Sequence, residues 1–154
     1  MAHTDWVARL AELGVTLPAV AAPVAAYVPA VQTSNHVHTS GQLPFIDGTL
    51  PAIGKVGADV SAEDAYGYAR QAALNALAAV DNLVGLERIK RVVKVVGFVA
   101  SDPTFTGQPG VINGASDVIG EIFGDAGAHA RSAVGVAVLP LDSPVEVELV
   151  VELD

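Results

Sequence analysis

Apolar residues recur at period two over residues 131–138 and again over 145–151, marking two strands near the C-terminus. In the first, Ser132, Val134, Val136 and Val138 share one face, while Arg131, Ala133, Gly135 and Ala137 share the other. In the second, Val145, Val147, Leu149 and Val151 form an oily side, opposite Glu146, Glu148, Val150 and Glu152. The segment LPLDSP between them reads as a hairpin loop, which predicts the two strands as neighbours.

Helical periodicity appears in three places. Trp6, Val7, Leu10 and Leu13 fall on one face of a short N-terminal helix, with Thr4 as its predicted cap and Gly14 as its stop. Ser61 followed by Asp64 resembles a capping box and opens a helix predicted over about Ala62 to Val84. Its Ala65, Ala69, Ala72, Ala76, Leu77, Val80 and Leu83 make a mostly small apolar face, suited to lying close on a sheet. A shorter helix is predicted over Val111 to Phe123, ending near Gly124, after a loop from Asp102 to Gly110.

The β-branched run from Ile89 to Val99 predicts another strand, with Lys90, Arg91 and Lys94 as its solvated end. Tyr27–Gln32 and His36–Gln42 predict two short strands joined by a turn at TSN, and Pro29 assigns the first to a sheet edge. Phe45 to Val60 reads as loop, and Lys55 lies there between glycines without phosphate-loop spacing, as a solvated lysine. Strands, helix, strand, helix and strands give an α+β order.

At 154 residues, 51% hydrophobic and 16% charged, the chain is sized for one domain with a real core. A net charge of −9 opposes tight binding to a nucleic-acid backbone. With no cysteine, the chain has no disulfide framework, thiolate metal site or cysteine nucleophile. The N-terminus lacks the basic and apolar regions of a signal peptide. The apolar stretch from Leu17 to Val31 is broken by Pro18, Pro23 and Pro29 and falls short of the roughly 20 residues a membrane span needs. The expectation is a soluble, cytoplasmic protein without a membrane partner.

Two readings of Arg131 follow from spacing. Surrounded by small residues, its guanidinium can present a planar fork to a carboxylate or phosphate; alternatively it pairs with a glutamate across the hairpin. His36 and His38 alternate on one strand face, where they are either two metal ligands lacking an evident third or solvated side chains. His129, two residues before Arg131, is placed to line the same cleft and shuttle protons.

Taken in order, YVPAVQTSNHVHTSGQLP, VKVVGFVASDPTF, INGASDVIGEIFG and ARSAVGVAVLPLDSPVEVELVVEL resemble the Rid (YjgF) family. The resemblance covers residues 23–153, leaving residues 1–22 as an N-terminal helix and extended lead-in to one domain. It implies a chorismate-mutase-like fold, a mixed sheet packed on two main helices, assembled as a homotrimer with ligand clefts between subunits. It also implies hydrolysis of reactive 2-imino and enamine acids to 2-keto acids and ammonia, with no cofactor and no metal.

By the same resemblance Arg131 holds the substrate carboxylate and Glu146 positions or activates water, while Tyr27, Ser40, Gly41, Asn113 and Ala133 contact the ligand. Ala133 stands where many deaminating members carry a cysteine. The N-terminal helix and a longer loop after Pro44 look like a separate, longer subgroup. Two other functions fit the same cleft: a non-catalytic trimer that binds small carboxylate metabolites, and an endoribonuclease, against which the acidic charge counts.

Overall fold

The structure, a computed structural model, describes residues 5–20 and 25–154. Its elements in chain order are α1 (Trp6–Leu13), β1 (Ala30–Thr33), β2 (His36–Thr39), α2 (Ala62–Val84), β3 (Ile89–Ala100), α3 (Gln108–Phe123), β4 (Ala130–Val136) and β5 (Val145–Leu153). Short 3-10 turns lead into β3, follow α3 and precede β5.

Local chemistry sets the helix ends. Asp5 caps α1, its carboxylate accepting the Ala8 N–H at 2.9 Å, and Gly14 closes the helix at φ +66. Asp5 is therefore the cap in place of Thr4, which lies outside the described residues. The Ser61 hydroxyl accepts the Asp64 N–H at 3.0 Å, so α2 begins where the capping signal stands. Helix α3 starts at Gln108, earlier than its apolar periodicity suggests, because Pro109 fits the first turn, where no helical N–H bond is lost.

One mixed sheet has the order β1-β2-β5-β3-β4. Antiparallel pairing joins β1 to β2, β2 to β5 and β5 to β3, whereas β4 runs parallel to β3. The C-terminal strands therefore flank β3 and do not form the predicted hairpin. Period-two alternation specifies which residues share a face but not which strand lies alongside. Here α3 is the crossover that parallel β3–β4 pairing requires. In the connection to β5, Leu141 and Asp142 both take positive φ.

Helices α2 and α3 cover one face of the sheet. Ala65, Ala69, Ala72, Ala76, Leu77 and Val80 are buried as predicted, while Leu83, at the end of the same stripe, is 45% exposed. The small face permits close crossing: a Cβ on Gly114 of α3 would overlap the Tyr66 carbonyl of α2, and one on Gly97 of β3 would overlap Ile112. Helix α1 closes an end of this core. Trp6 stacks edge-on against Phe123 with ring centres 5.0 Å apart and donates its indole N–H to the Ile89 carbonyl at 2.8 Å. Leu10 joins it in burial, whereas Val7 is turned outward.

Strand β5 is buried on its Val145, Val147, Leu149 and Val151 side, so Glu146, Glu148, Val150 and Glu152 lie on the sheet face without helices. Val96 and Phe98 of β3 and Ser132 and Val134 of β4 are in register with these carboxylates on that open face.

Candidate functional site

Arg131 is in register with Val95, a buried residue beneath the helices, so its side chain lies on the α3 side of β4. Asn113 and Ser116, one turn apart on α3, face it together. The arginine Nη1 donates to Asn113 Oδ1 at 2.8 Å and to Ser116 Oγ at 3.2 Å, and Nη2 donates to the Pro109 carbonyl at 3.4 Å. All three acceptors are neutral. The glutamate pair across a hairpin does not form, because β3 separates β4 from β5.

Small residues continue along the same face. Ala133, half-buried, packs against the core two positions from the arginine, and Gly135 leaves room for the Gln108 amide and the Ser101 hydroxyl. Asn113 is exposed at the rim, so the arginine and its amide neighbour are reachable from solvent.

His129 has both ring nitrogens engaged: Nδ1 bonds the Gly127 carbonyl at 2.6 Å and Nε2 meets Ser116 Oγ at 2.9 Å. It holds Ser116, which in turn accepts from the arginine, so His129 belongs to the same hydrogen-bonded group as Arg131. Ser116 escaped the sequence reading because a serine inside an apolar helix pattern looks neutral. Its signal was the three-residue spacing from Asn113, combined with His129 two residues before Arg131.

The second group forms on the open face. Gly41 lies against Glu146 so closely that a Cβ there would occupy the carboxylate's space. Reciprocal backbone bonds between Gln42 and Val147, at 2.8 and 3.0 Å, hold this approach. Ser40 next to it donates its hydroxyl to the Val28 carbonyl at 2.7 Å. Burial pushes the Glu146 carboxyl above its ordinary value, and repulsion from Glu148 adds to the shift. Glu152, the third acid of the strand, is committed to Arg91 at 2.9 Å and Lys90 at 3.4 Å.

Arg131, Asn113 and Ala133 thus form one cluster and Ser40, Gly41 and Glu146 another, on opposite faces of the sheet. Tyr27 is 54% exposed and belongs to neither hydrogen-bonded group. Lys55, expected as a solvated loop lysine, is ion-paired with Asp142. Among the described residues no group of three His, Asp or Glu side chains is arranged to hold a metal ion. A cavity of about 440 Å³ opens elsewhere, between Pro18–Val20, the loop at Phe45–Gly48 and Gln42 and Asn75, and none of the predicted site residues lines it.

A five-stranded mixed sheet covered on one face by two long helices, with Arg131 on the covered side and Glu146 on the open one, defines an α+β domain. The chain belongs to the family described as "YjgF/chorismate_mutase-like, putative endoribonuclease", whose model matches residues 7–153. It is 46% identical to Protein TCP17 of Trypanosoma cruzi over 149 residues, covering 96% of this chain and 93% of that one. The structure is similar to Atu1372 of Agrobacterium tumefaciens, described as of unknown function (TM-score 0.89, 44% identity, 97% of this chain and 92% of that one). It is also similar to a protein of Shewanella oneidensis described as a putative endoribonuclease (TM-score 0.93, 36% identity, 97% and 100% covered). More distantly it is similar to Escherichia coli TdcF, solved with bound serine (TM-score 0.62, 26% identity, 90% and 96% covered).

No helix among the described residues is long and apolar enough to cross a membrane.

Proposed function

We propose that the protein hydrolyses small 2-imino and enamine acids to 2-keto acids and ammonia, in a cleft closed between the subunits of a homotrimer. The observation that carries this reading is the charge of Arg131, held in place entirely by neutral acceptors. A fixed guanidinium without a carboxylate partner in its own hydrogen-bond set is an anion site, and a planar carboxylate matches its fork. The serine bound by TdcF, an amino acid bearing a carboxylate, supports that ligand class.

Glu146 supplies the base. Its raised affinity for protons suits it to take one from water while the water oxygen bonds to the imine carbon. Return of that proton to nitrogen gives a tetrahedral adduct bearing hydroxyl and amine, and transfer of the hydroxyl proton to the same nitrogen breaks the carbon–nitrogen bond, with ammonia leaving and the carbonyl forming. One imino acid and one water give one keto acid and one ammonia, with no electron acceptor required. The two clusters lie on opposite faces of the sheet in one chain, which supports a cleft assembled from the arginine cluster of one subunit and the glutamate cluster of its neighbour.

Imino acids generated in place by an amino-acid oxidase test the proposal. The wild-type protein accelerates their hydrolysis, and Arg131→Ala lowers kcat/KM about a hundredfold, the loss expected for a charge-assisted bidentate contact of about 3 kcal/mol. Tight binding of 2-keto acids without turnover over a broad set of imino acids would replace this reading with that of a carboxylate-binding protein.

A further inference from the structure

Arg131 offers five N–H donors, and the structure spends them unevenly. Both hydrogens of Nη1 are taken, by Asn113 Oδ1 at 2.8 Å and Ser116 Oγ at 3.2 Å. Nη2 makes one long bond, 3.4 Å to the Pro109 carbonyl, and Nε makes none among the described residues. The edge formed by Nε and Nη2 is therefore the one left for a ligand.

The bond from Ser116 to Nη1 depends on where the serine proton goes. A carbonyl only accepts, so the contact between His129 Nδ1 and the Gly127 carbonyl, at 2.6 Å, places the proton of the neutral imidazole on Nδ1. Nε2 is then an acceptor, and Ser116, 2.9 Å away, donates its hydroxyl proton to it. The serine lone pairs are left to receive Nη1. Gly127, His129, Ser116 and Arg131 form a single directed chain.

We propose that Ser116 and His129 are positioning residues that withdraw Nη1 from the ligand and commit Arg131 to grip a carboxylate side-on, through Nε and Nη2. Neither touches the ligand; both act through the arginine. The inference rests on the carboxylate-binding role proposed for Arg131 and adds the orientation of the grip and the residues that set it.

Nuclear magnetic resonance of the arginine side-chain N–H groups, with pyruvate as the probe, tests this on the full-length protein. Arg131→Lys identifies the Arg131 signals by their loss. In the wild type, pyruvate moves the Nε–H resonance and leaves the Nη1 environment in place. Ser116→Ala and His129→Leu each weaken pyruvate binding about five- to tenfold, and the double variant is no weaker than either single one, because the chain acts as a unit. Ser116→Thr keeps the hydroxyl and His129→Gln keeps an acceptor near the Nε2 position, so both recover to within about twofold. In imine hydrolysis the disruptive variants raise KM and spare kcat, as loss of uniform binding requires.

Pyruvate binding unaffected by Ser116→Ala and His129→Leu, or conservative variants no better than disruptive ones, overturns the relay. Side-on binding with the predicted variant pattern but no imine turnover upholds the relay and removes the hydrolase reading. Wild-type protein that fails to bind pyruvate at all overturns both.

Discussion

Gly41 and Glu146 show how one missing side chain places another. With no Cβ at position 41, the carboxylate lies against the chain that turns out of β2. Gly41→Ala must displace Glu146 or the loop, at a cost of about 1–3 kcal/mol typical of overpacking, and it lowers imine hydrolysis more than it lowers the unfolding midpoint on heating. Glu146 also gives the fold a pH dependence. Its native pKa is raised above the ordinary 4.5, so the native chain holds this proton more tightly than the unfolded chain does. The contribution is fully present below that value and is lost as pH rises through the shifted one. Glu146→Gln removes this dependence, and urea titrations between about pH 4 and pH 7 will show a smaller fall in stability for the variant than for the wild type.

Among the elements, α1 is joined to the domain by few but specific contacts. Trp6 is buried, stacked on Phe123 and bonded to the start of β3, so Trp6→Ala is expected to cost about 3–5 kcal/mol in denaturant unfolding. Helices α1 and α2 could be read from sequence because caps and periodicity are local signals, carried by Gly14 at one end and by Ser61 with Asp64 at the other. The faces of β5 were equally readable from its alternation of valine and glutamate. The partner of β4 was not, since LPLDSP resembles a turn whether or not the flanking strands meet, and pairing with β3 is decided by α3 packing across the sheet. The same limit applies to the site. Arg131 stood out by its small neighbours, and Asn113 and Glu146 by the family resemblance, but their division between two sheet faces depends on register, and Ser116 acquires a role only when α3 is laid over β4.

At the scale of the whole molecule, the open sheet face combines carboxylates with exposed or half-buried Val96, Phe98, Val134 and Val150, an arrangement that fits burial against other copies in the proposed trimer. Val134 is 44% exposed in the single chain. Val134→Asp places a charge there, next to strand β3 and on the face shared with Glu146, and light scattering after size exclusion is expected to show dissociation to monomers together with a loss of hydrolysis exceeding tenfold. Retained activity in a monomeric variant would contradict the shared cleft.

The crossover from β3 through α3 to β4 has a consequence for the order of events in folding. Asn113, Ser116, His129 and Arg131 are neighbours in sequence, so the arginine cluster closes over short loops, whereas Gly41 meets Glu146 only when β2 finds β5 across most of the chain. A nascent chain would acquire its anion grip before its base. A keto acid in the surrounding solution, the product of the proposed reaction, would then stabilise by mass action every state in which the arginine cluster is formed.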